Sequence, residues 1–296
     1  MHKNYLFVFL ILIVSLLFSQ ELAAQKGRPN TRKSGKSGFT DPFLQTQWWL
    51  GFKFGGNLSK VSPGDRYTAF SSADGFSPEI YDKEYESFNK LGALSGVDIT
   101  FYHKGFSISF QPNYRRQRFV YSNDFQWLDT ENPNNILTLN YAQDHQLDYL
   151  ELPLLLKYDI LQSKIRPFVQ AGFFYATLVN ANKAVTITGD DLASGFQNPF
   201  ESDEIILGAS DLFINSSVGV LGGVGGSYDV GNIRISLDIS YRFGLNNITD
   251  VKNRFTENRL AGIGDALDDL KMQNISLNLS VLFPMRFLIA SSYKAN

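Results

Sequence analysis

The chain has 296 residues with Lys+Arg 27 against Asp+Glu 29, so its overall charge gives no reason to expect a nucleic-acid partner. Cys is 0, which excludes disulfides, thiolate metal sites, cysteine nucleophiles and a lipidated cysteine anchor. Mean hydropathy is -0.14, too low for a polytopic helical membrane protein, while Phe 25, Tyr 14 and Gly 24 favour strands.

The first element is the apolar run Leu6 to Phe18, preceded by Lys3 and followed by the small residues Ala23-Ala24-Gln25. It reads as a secretory signal peptide over residues 1–24; a permanent anchor is the alternative, but the run is short for a span. Residues 25–46 are basic and rich in Gly and Ser, without periodicity, and read as a flexible periplasmic tether.

Eight alternating segments follow between 47 and 284, and a short tail, 285–296, ends the chain. Strand one spans Gln47 to Ser59, with Trp48, Leu50, Phe52 and Phe54 on one face. After a polar loop, strand two runs from Gly92 to His103, the His103-Lys104-Gly105 turn follows, and strand three runs from Phe106 to Phe119. Val120 to Gln146 reads as a loop around Asn132-Pro133-Asn134-Asn135. Strand four, Asp148 to Tyr158, sets Leu150, Leu152, Leu154, Leu156 and Tyr158 against Glu151, Pro153, Leu155 and Lys157. A short turn leads to strand five, Arg166 to Val179, and Asn180 to Asp211 reads as another long loop. Strand six is the glycine-rich Phe213 to Tyr228, and strand seven is Ile233 to Phe243. Gly244 to Leu270 reads as a loop with a short helix over Asp265 to Leu270, and strand eight is Gln273 to Phe283.

Each segment is close to the roughly 9–11 residues a tilted strand needs to cross a bilayer. The connections alternate long and short, as in outer-membrane barrels with long outer loops and short periplasmic turns. The expected fold is therefore all-β: an eight-stranded antiparallel transmembrane β-barrel. A lipocalin-like barrel would turn its apolar rows inward. Three features favour the reverse polarity. The apolar rows are nearly unbroken. Aromatic residues collect in two girdles: Trp48, Phe106, Phe168, Tyr228 and Phe283 near the short turns, Tyr114, Tyr149, Tyr175, Tyr241 and Phe243 near the long loops. The polar rows carry opposite charges that can pair inside: Lys53, Asp98, Arg115, Glu151, Lys157, Arg234, Asp238 and Arg242. By position along the strands, Lys53, Asp98, Glu151 and Asp238 fall at mid-depth. Pro153 cannot donate to a ladder bond, and a bulge there would absorb the loss and account for Leu155 in the polar row; Leu155 packing in the lumen is the alternative.

Tyr149-Leu150-Glu151-Leu152-Pro153-Leu154-Leu155-Leu156-Lys157-Tyr158 resembles the signature strand of the PorT-like outer-membrane β-barrel family of Bacteroidota. Gly51 to Ser59, Gly222 to Gly226 and Tyr241 to Ile248 agree with it. The resemblance implies an outer-membrane location and a link to the type IX secretion and gliding apparatus.

A catalytic, cofactor or metal site is not expected. His145, near Asp144 and Asp148 in a loop, lacks a Ser motif, and Asp190, Asp191, Glu201, Asp203 and Glu204 read as a solvated acidic loop. An eight-strand interior is just wide enough for side chains to fill it, so the charges read as a plug rather than a gated path. The functional expectation is a non-enzymatic barrel, an accessory or structural subunit of an envelope or secretion complex, in contact with outer-membrane lipid and protein partners. A small-solute transport or binding barrel is the alternative, and an outer-membrane hydrolase a third reading.

Overall fold

The computed structural model of the chain describes residues 46–67, 83–128, 131, 135–161, 163–192, 196–258 and 263–285. The expected signal peptide, most of the tether and most of the C-terminal tail lie outside the described residues.

Eight long antiparallel strands close into a ring. They are β1 (Gln47–Pro63), β3 (Leu91–His103), the interrupted strand β4 (Phe106–Phe110) and β5 (Asn113–Leu128), β6 (Ile136–Asp159), β7 (Ile165–Asp191), β10 (Ser216–Val230), β11 (Ile233–Gly244) and β14 (Leu270–Pro284). Each neighbours the next in sequence, and β14 returns to β1, with Leu50 opposite Phe283 and Pro63 opposite Leu270. The short pieces β2 (Glu84–Tyr85), β8 (Asn198–Glu201) and β9 (Ile205–Gly208) pair at the outer ends of β5 and β7, and β12 (Phe255–Asn258) pairs with β13 (Ile263–Ala266).

The side chains settle the polarity. Leu150, Leu152, Leu154 and Leu156 are exposed on the outer wall, as are Phe52, Phe54 and Phe173, whereas Lys53, Asp98, Arg115, Glu151 and Asp238 are buried inside. Lipid thus replaces the core that would otherwise have to cover the apolar rows, and the polar rows satisfy one another within. Trp48, Phe106, Tyr228 and Phe283 lie on the outer wall towards the short turns, with Tyr114, Tyr175 and Tyr241 towards the long connections. Phe168 and Tyr149 depart from the expected girdles. Both are buried, because they share strand parity with Gln170 and Glu151 and so point inward.

The glycine-rich strand β10 makes room for those inward rings. Gly225 lies opposite Phe168 and Gly219 opposite Phe174. A Cβ at Gly219 would come within 2.4 Å of the Phe174 ring, and one at Gly225 within 2.5 Å of the Phe168 ring. At the periplasmic turn between β3 and β4, Lys104 and Gly105 both have positive φ, 47° and 90°, the geometry of a tight hairpin turn.

The structure corrects three expectations. First, residues 120–128 and 136–146 of the expected loop Val120 to Gln146, and the start of Asn180 to Asp211, are not loops, while Asn132-Pro133-Asn134 lie outside the described residues. β5, β6 and β7 continue through them as strands, so that β6 has 24 residues and β7 has 27. They stand on the order of 40 Å beyond the membrane-crossing part at about 3.3 Å per residue. Second, Asp265 and Ala266 belong to β13 and Leu270 opens β14, so no helix forms there. Third, the register shift between β6 and β7 lies between Asp148 and Tyr149, not at Pro153. Pro153 stays in register with Phe174, and its carbonyl accepts a bond from the Gln111 N–H at 3.0 Å. One strand away, the Pro112 carbonyl accepts from Val97 N–H at 2.9 Å. Two prolines on adjacent strands thus each give up one bond of a two-bond pair. That thins the ladder and separates β4 from β5 without a bulge.

Candidate functional site

The barrel lumen is the most elaborated part of the molecule, and it is layered. At the periplasmic end, Arg234 donates to Asp229 at 2.9 Å, and Arg166 pairs with the same carboxylate. The Arg234 guanidinium lies 4.1 Å from the Trp49 ring centroid and 5.4 Å from that of Tyr102. The rings of this layer therefore offer their π faces to a cation as well as filling space.

The middle layer holds Lys53, Asp98, Lys157 and Asp238. Lys53 Nζ contacts Asp238 Oδ2 at 3.1 Å and donates to Gln111 Oε1 at 3.0 Å. Gln170 and Asn278 donate to the other Asp238 oxygen at 2.9 and 2.8 Å. Asp98 accepts from Thr100 at 2.5 Å, Ser109 at 2.8 Å and Gln111 at 2.7 Å, with Lys157 at 3.5 Å. Each carboxylate is thus surrounded by donors from neighbouring strands, which is what a charge removed from water requires.

The third layer is built on Glu151. Its Oε2 accepts from Arg115 Nε at 2.8 Å and from Arg242 Nη1 at 2.5 Å, and Arg115 also donates to Asn274 at 3.1 Å. Glu151 and Arg115 are both 0 % exposed, and Arg242 is 3 % exposed. All eight charges expected in the lumen therefore lie there. They form three groups along the barrel rather than one, because Glu151 reaches up to the two arginines instead of joining Lys53 at mid-depth.

Above this layer the lumen turns apolar. Phe119, Tyr121, Leu147, Tyr149, Phe174, Phe213, Ile248 and Leu270 belong to one buried cluster, and Leu155 packs in the lumen with it. The long connections lace over the mouth. Ile214 N–H donates to the Ile248 carbonyl and Ile248 N–H to that of Leu270, both at 2.9 Å, while Asp250 N–H reaches Leu212 at 2.8 Å. Lys83 contacts Asp268 at 2.9 Å above them, and both are buried.

His145 sits inside this cap rather than in a solvated loop. It lies on β6 and is fully buried, stacked on Phe119 at 4.9 Å and on Tyr121 at 5.4 Å. Asp144 and Asp148 lie on the opposite face of β6, engaged by Arg118 and Lys90 and by Arg116 respectively. Strand alternation thus keeps both carboxylates from the imidazole, which leaves the hydrolase reading without its dyad. Among the described residues no three His, Asp or Glu side chains converge as metal ligands.

Sequence reasoning missed Arg166, Asp229 and the buried Asp159 as parts of the network. Their parity gives them away. Arg166 lies on the row of Gln170, Asp159 on that of Glu151, and Asp229 on that of Ser217 and Ser227.

Several solved structures are similar to this chain, two of them bacterial surface proteins. One is the attachment invasion locus protein of Yersinia pestis, at 10% identity and a TM-score of 0.29, over 80% of this chain and 99% of that one. The other is the Neisserial surface protein A, at 14% identity and a TM-score of 0.26, over 79% and 96%. No curated protein matches the chain. The family model described as the outer membrane protein beta-barrel domain matches residues 24–250. With an apolar outer wall, a polar interior and that match over most of its length, the chain belongs to this family and is an outer-membrane β-barrel protein.

Proposed function

We propose that the protein is a non-enzymatic barrel of the PorT-like kind found in Bacteroidota, serving as an accessory or structural subunit of an envelope or secretion complex. In this reading residues 25–46 are a periplasmic tether, residues 285–296 a periplasmic tail, and the partners bind outside the lumen. The observation that carries it is the closed interior: the charged side chains lining the lumen are cut off from solvent, which an open aqueous path would not allow. Support also comes from the outer extension of β5, β6 and β7, far longer than a membrane crossing needs. Phe196, Phe200 and Ile206, beside the outer end of β7, are exposed apolar residues of the kind that mark protein contacts. The Tyr149 to Tyr158 signature supports the family assignment and, through it, a type IX secretion or gliding context.

The test is chemical crosslinking in native outer membranes followed by affinity purification, with planar-bilayer recording of the purified protein alongside. A partner recovered in fixed stoichiometry and a non-conducting barrel are the expected results. A sustained open pore would overturn the reading in favour of solute transport.

A further inference from the structure

The Glu151 layer carries more positive charge than it neutralises. Arg115 and Arg242 share one carboxylate. In the middle layer Lys53 and Lys157 face Asp238 and Asp98. At the periplasmic end Arg166 and Arg234 share Asp229, and both also act electrostatically on the buried Asp159. Among the described residues only the Glu151 layer lacks a second carboxylate.

Two N–H groups of this layer have no acceptor among the described residues, Nη2 of Arg115 and Nε of Arg242. Arg242 lines a cavity of about 20 Å³, together with Gln117, Glu151, Ser217 and Asn274 on its polar side and Phe174 on its apolar side. A cavity needs roughly 10–15 Å³ to hold a particle the size of water. This one therefore has room for one such particle. A water would cap the N–H groups but leave the excess charge uncompensated, and a buried charge without a counter-charge is costly.

We propose that this cavity binds one small monovalent anion of the halide class, held by Arg242 as a structural counter-ion of the lumen. A space this small favours a single-atom ion over the larger phosphate, sulfate and organic carboxylates. Glu151 limits occupancy to one ion, since its own charge faces both guanidiniums and opposes a second anion. The strand register also places a lever in the wall. Gln117 donates to Glu151 Oε1 at 3.5 Å and is buried, so a carboxylate at this position would supply the missing charge from the chain itself.

The experiment uses the full mature chain in zwitterionic detergent. Urea unfolding is compared at equal ionic strength in sodium chloride, sodium bromide and sodium gluconate. The folded fraction is read from heat-modifiable gel migration, which halide quenching does not affect. The unfolding equilibrium constant should fall saturably in chloride and bromide relative to gluconate, by roughly tenfold once the halide exceeds its dissociation constant about tenfold. Gln117→Glu should unfold at the same urea concentration in all three salts. Arg242→Gln, which removes the excess charge, should do so as well and covers the case in which Gln117→Glu does not fold. Crystals grown in bromide should show an anomalous peak beside Arg242. Identical unfolding of the unmodified chain in chloride and gluconate would overturn the proposal, as would a halide effect undiminished in Gln117→Glu or Arg242→Gln.

Discussion

Replacing Glu151 by Gln asks whether the lumen is dry. The side chain keeps its shape and one accepting oxygen, but the carboxylate shared by Arg115 and Arg242 loses its charge. At charge-centre separations of about 4 Å and an effective dielectric of about 20, each guanidinium loses roughly 4 kcal/mol of attraction. Hydrogen bonding to the amide oxygen recovers part of this. Breaking a buried pair by removing one partner costs about 3–5 kcal/mol, and that is the loss expected for Glu151→Gln. An ion pair in contact with water is worth only about 0–1 kcal/mol. The size of the effect therefore distinguishes a closed lumen from a water-filled one.

The assay is urea unfolding in detergent micelles, followed by tryptophan fluorescence and extrapolated linearly to zero denaturant. Trp49 is a suitable reporter, because it is buried against Arg234 at the other end of the network. The paired variant Glu151→Gln with Arg115→Met should lose less than the sum of its parts, since removing one arginine relieves the charge that Glu151→Gln strands. A loss below about 1 kcal/mol for Glu151→Gln would refute the argument, because the arginines would then have water to turn to.

Leu154→Arg places a charge on the lipid-facing row near mid-depth and should destabilise the barrel by about 2–4 kcal/mol in folding assays with lipid vesicles. Gly219→Val puts branched carbon where the Phe174 ring and the Phe243 carbonyl oxygen lie and should cost about 1–3 kcal/mol by the same urea assay, with Phe174→Leu in the same chain relieving only the part due to the ring. Pro153→Ala restores a backbone N–H opposite Gln111 in a strand that keeps its register there. It should leave the barrel folded with a net change within about 1 kcal/mol, the added ladder bond opposing the greater freedom of the unfolded chain; faster amide hydrogen exchange along β4 and β6 would contradict this account of the broken ladder.

The membrane-crossing strands were legible because the two solvents on either side of the wall differ as much as they can. Leu150, Leu152, Leu154 and Leu156 face lipid and Glu151 faces the polar interior, so alternation has full contrast. Two circumstances remove that contrast. Above the bilayer, β5, β6 and β7 have water on one side and the cap on the other, and segments such as Asn140-Tyr141-Ala142-Gln143 lose the clean pattern although they pair as strands. Inside the lumen and the cap, some apolar residues face inward, so Tyr149, Leu155 and Phe174 look from composition like lipid-facing residues. Parity separates them: Tyr149 and Leu155 share the row of Glu151, and Phe174 shares that of Gln170. The charge groups were legible as a set, but their partners were not. Pairing Glu151 with Arg242 joins residues that lie 91 apart in the chain on non-adjacent strands, which only the stagger and diameter of the closed barrel decide.

The two surprises, the tall extension and the apolar cap, have one physical origin. A polar lumen can close itself only as far as side chains from opposite walls can reach one another. At the outer mouth the chain continues upward as strands, and their inner face needs cover. The segments at residues 209–214, 245–250 and 266–270 supply it by adding Leu212, Phe213, Ile248 and Leu267 to the buried cluster that holds Phe119 and Leu147. The cap is thus the core of the extension as well as the stopper of the barrel. The two functions can be separated by substitution at Ile248, which also lines the cavity beside Arg242. Ile248→Ala should loosen the cap, raising hydrogen exchange in the outer halves of β5 and β6, at a cost of about 2–5 kcal/mol to whatever unit unfolds with it. If the extension and the membrane barrel are one cooperative unit, the lower strands near Asp238 will lose protection equally. If the outer layer opens by itself, they will not, and the region free to rearrange on meeting a partner is the one that stands outside the membrane.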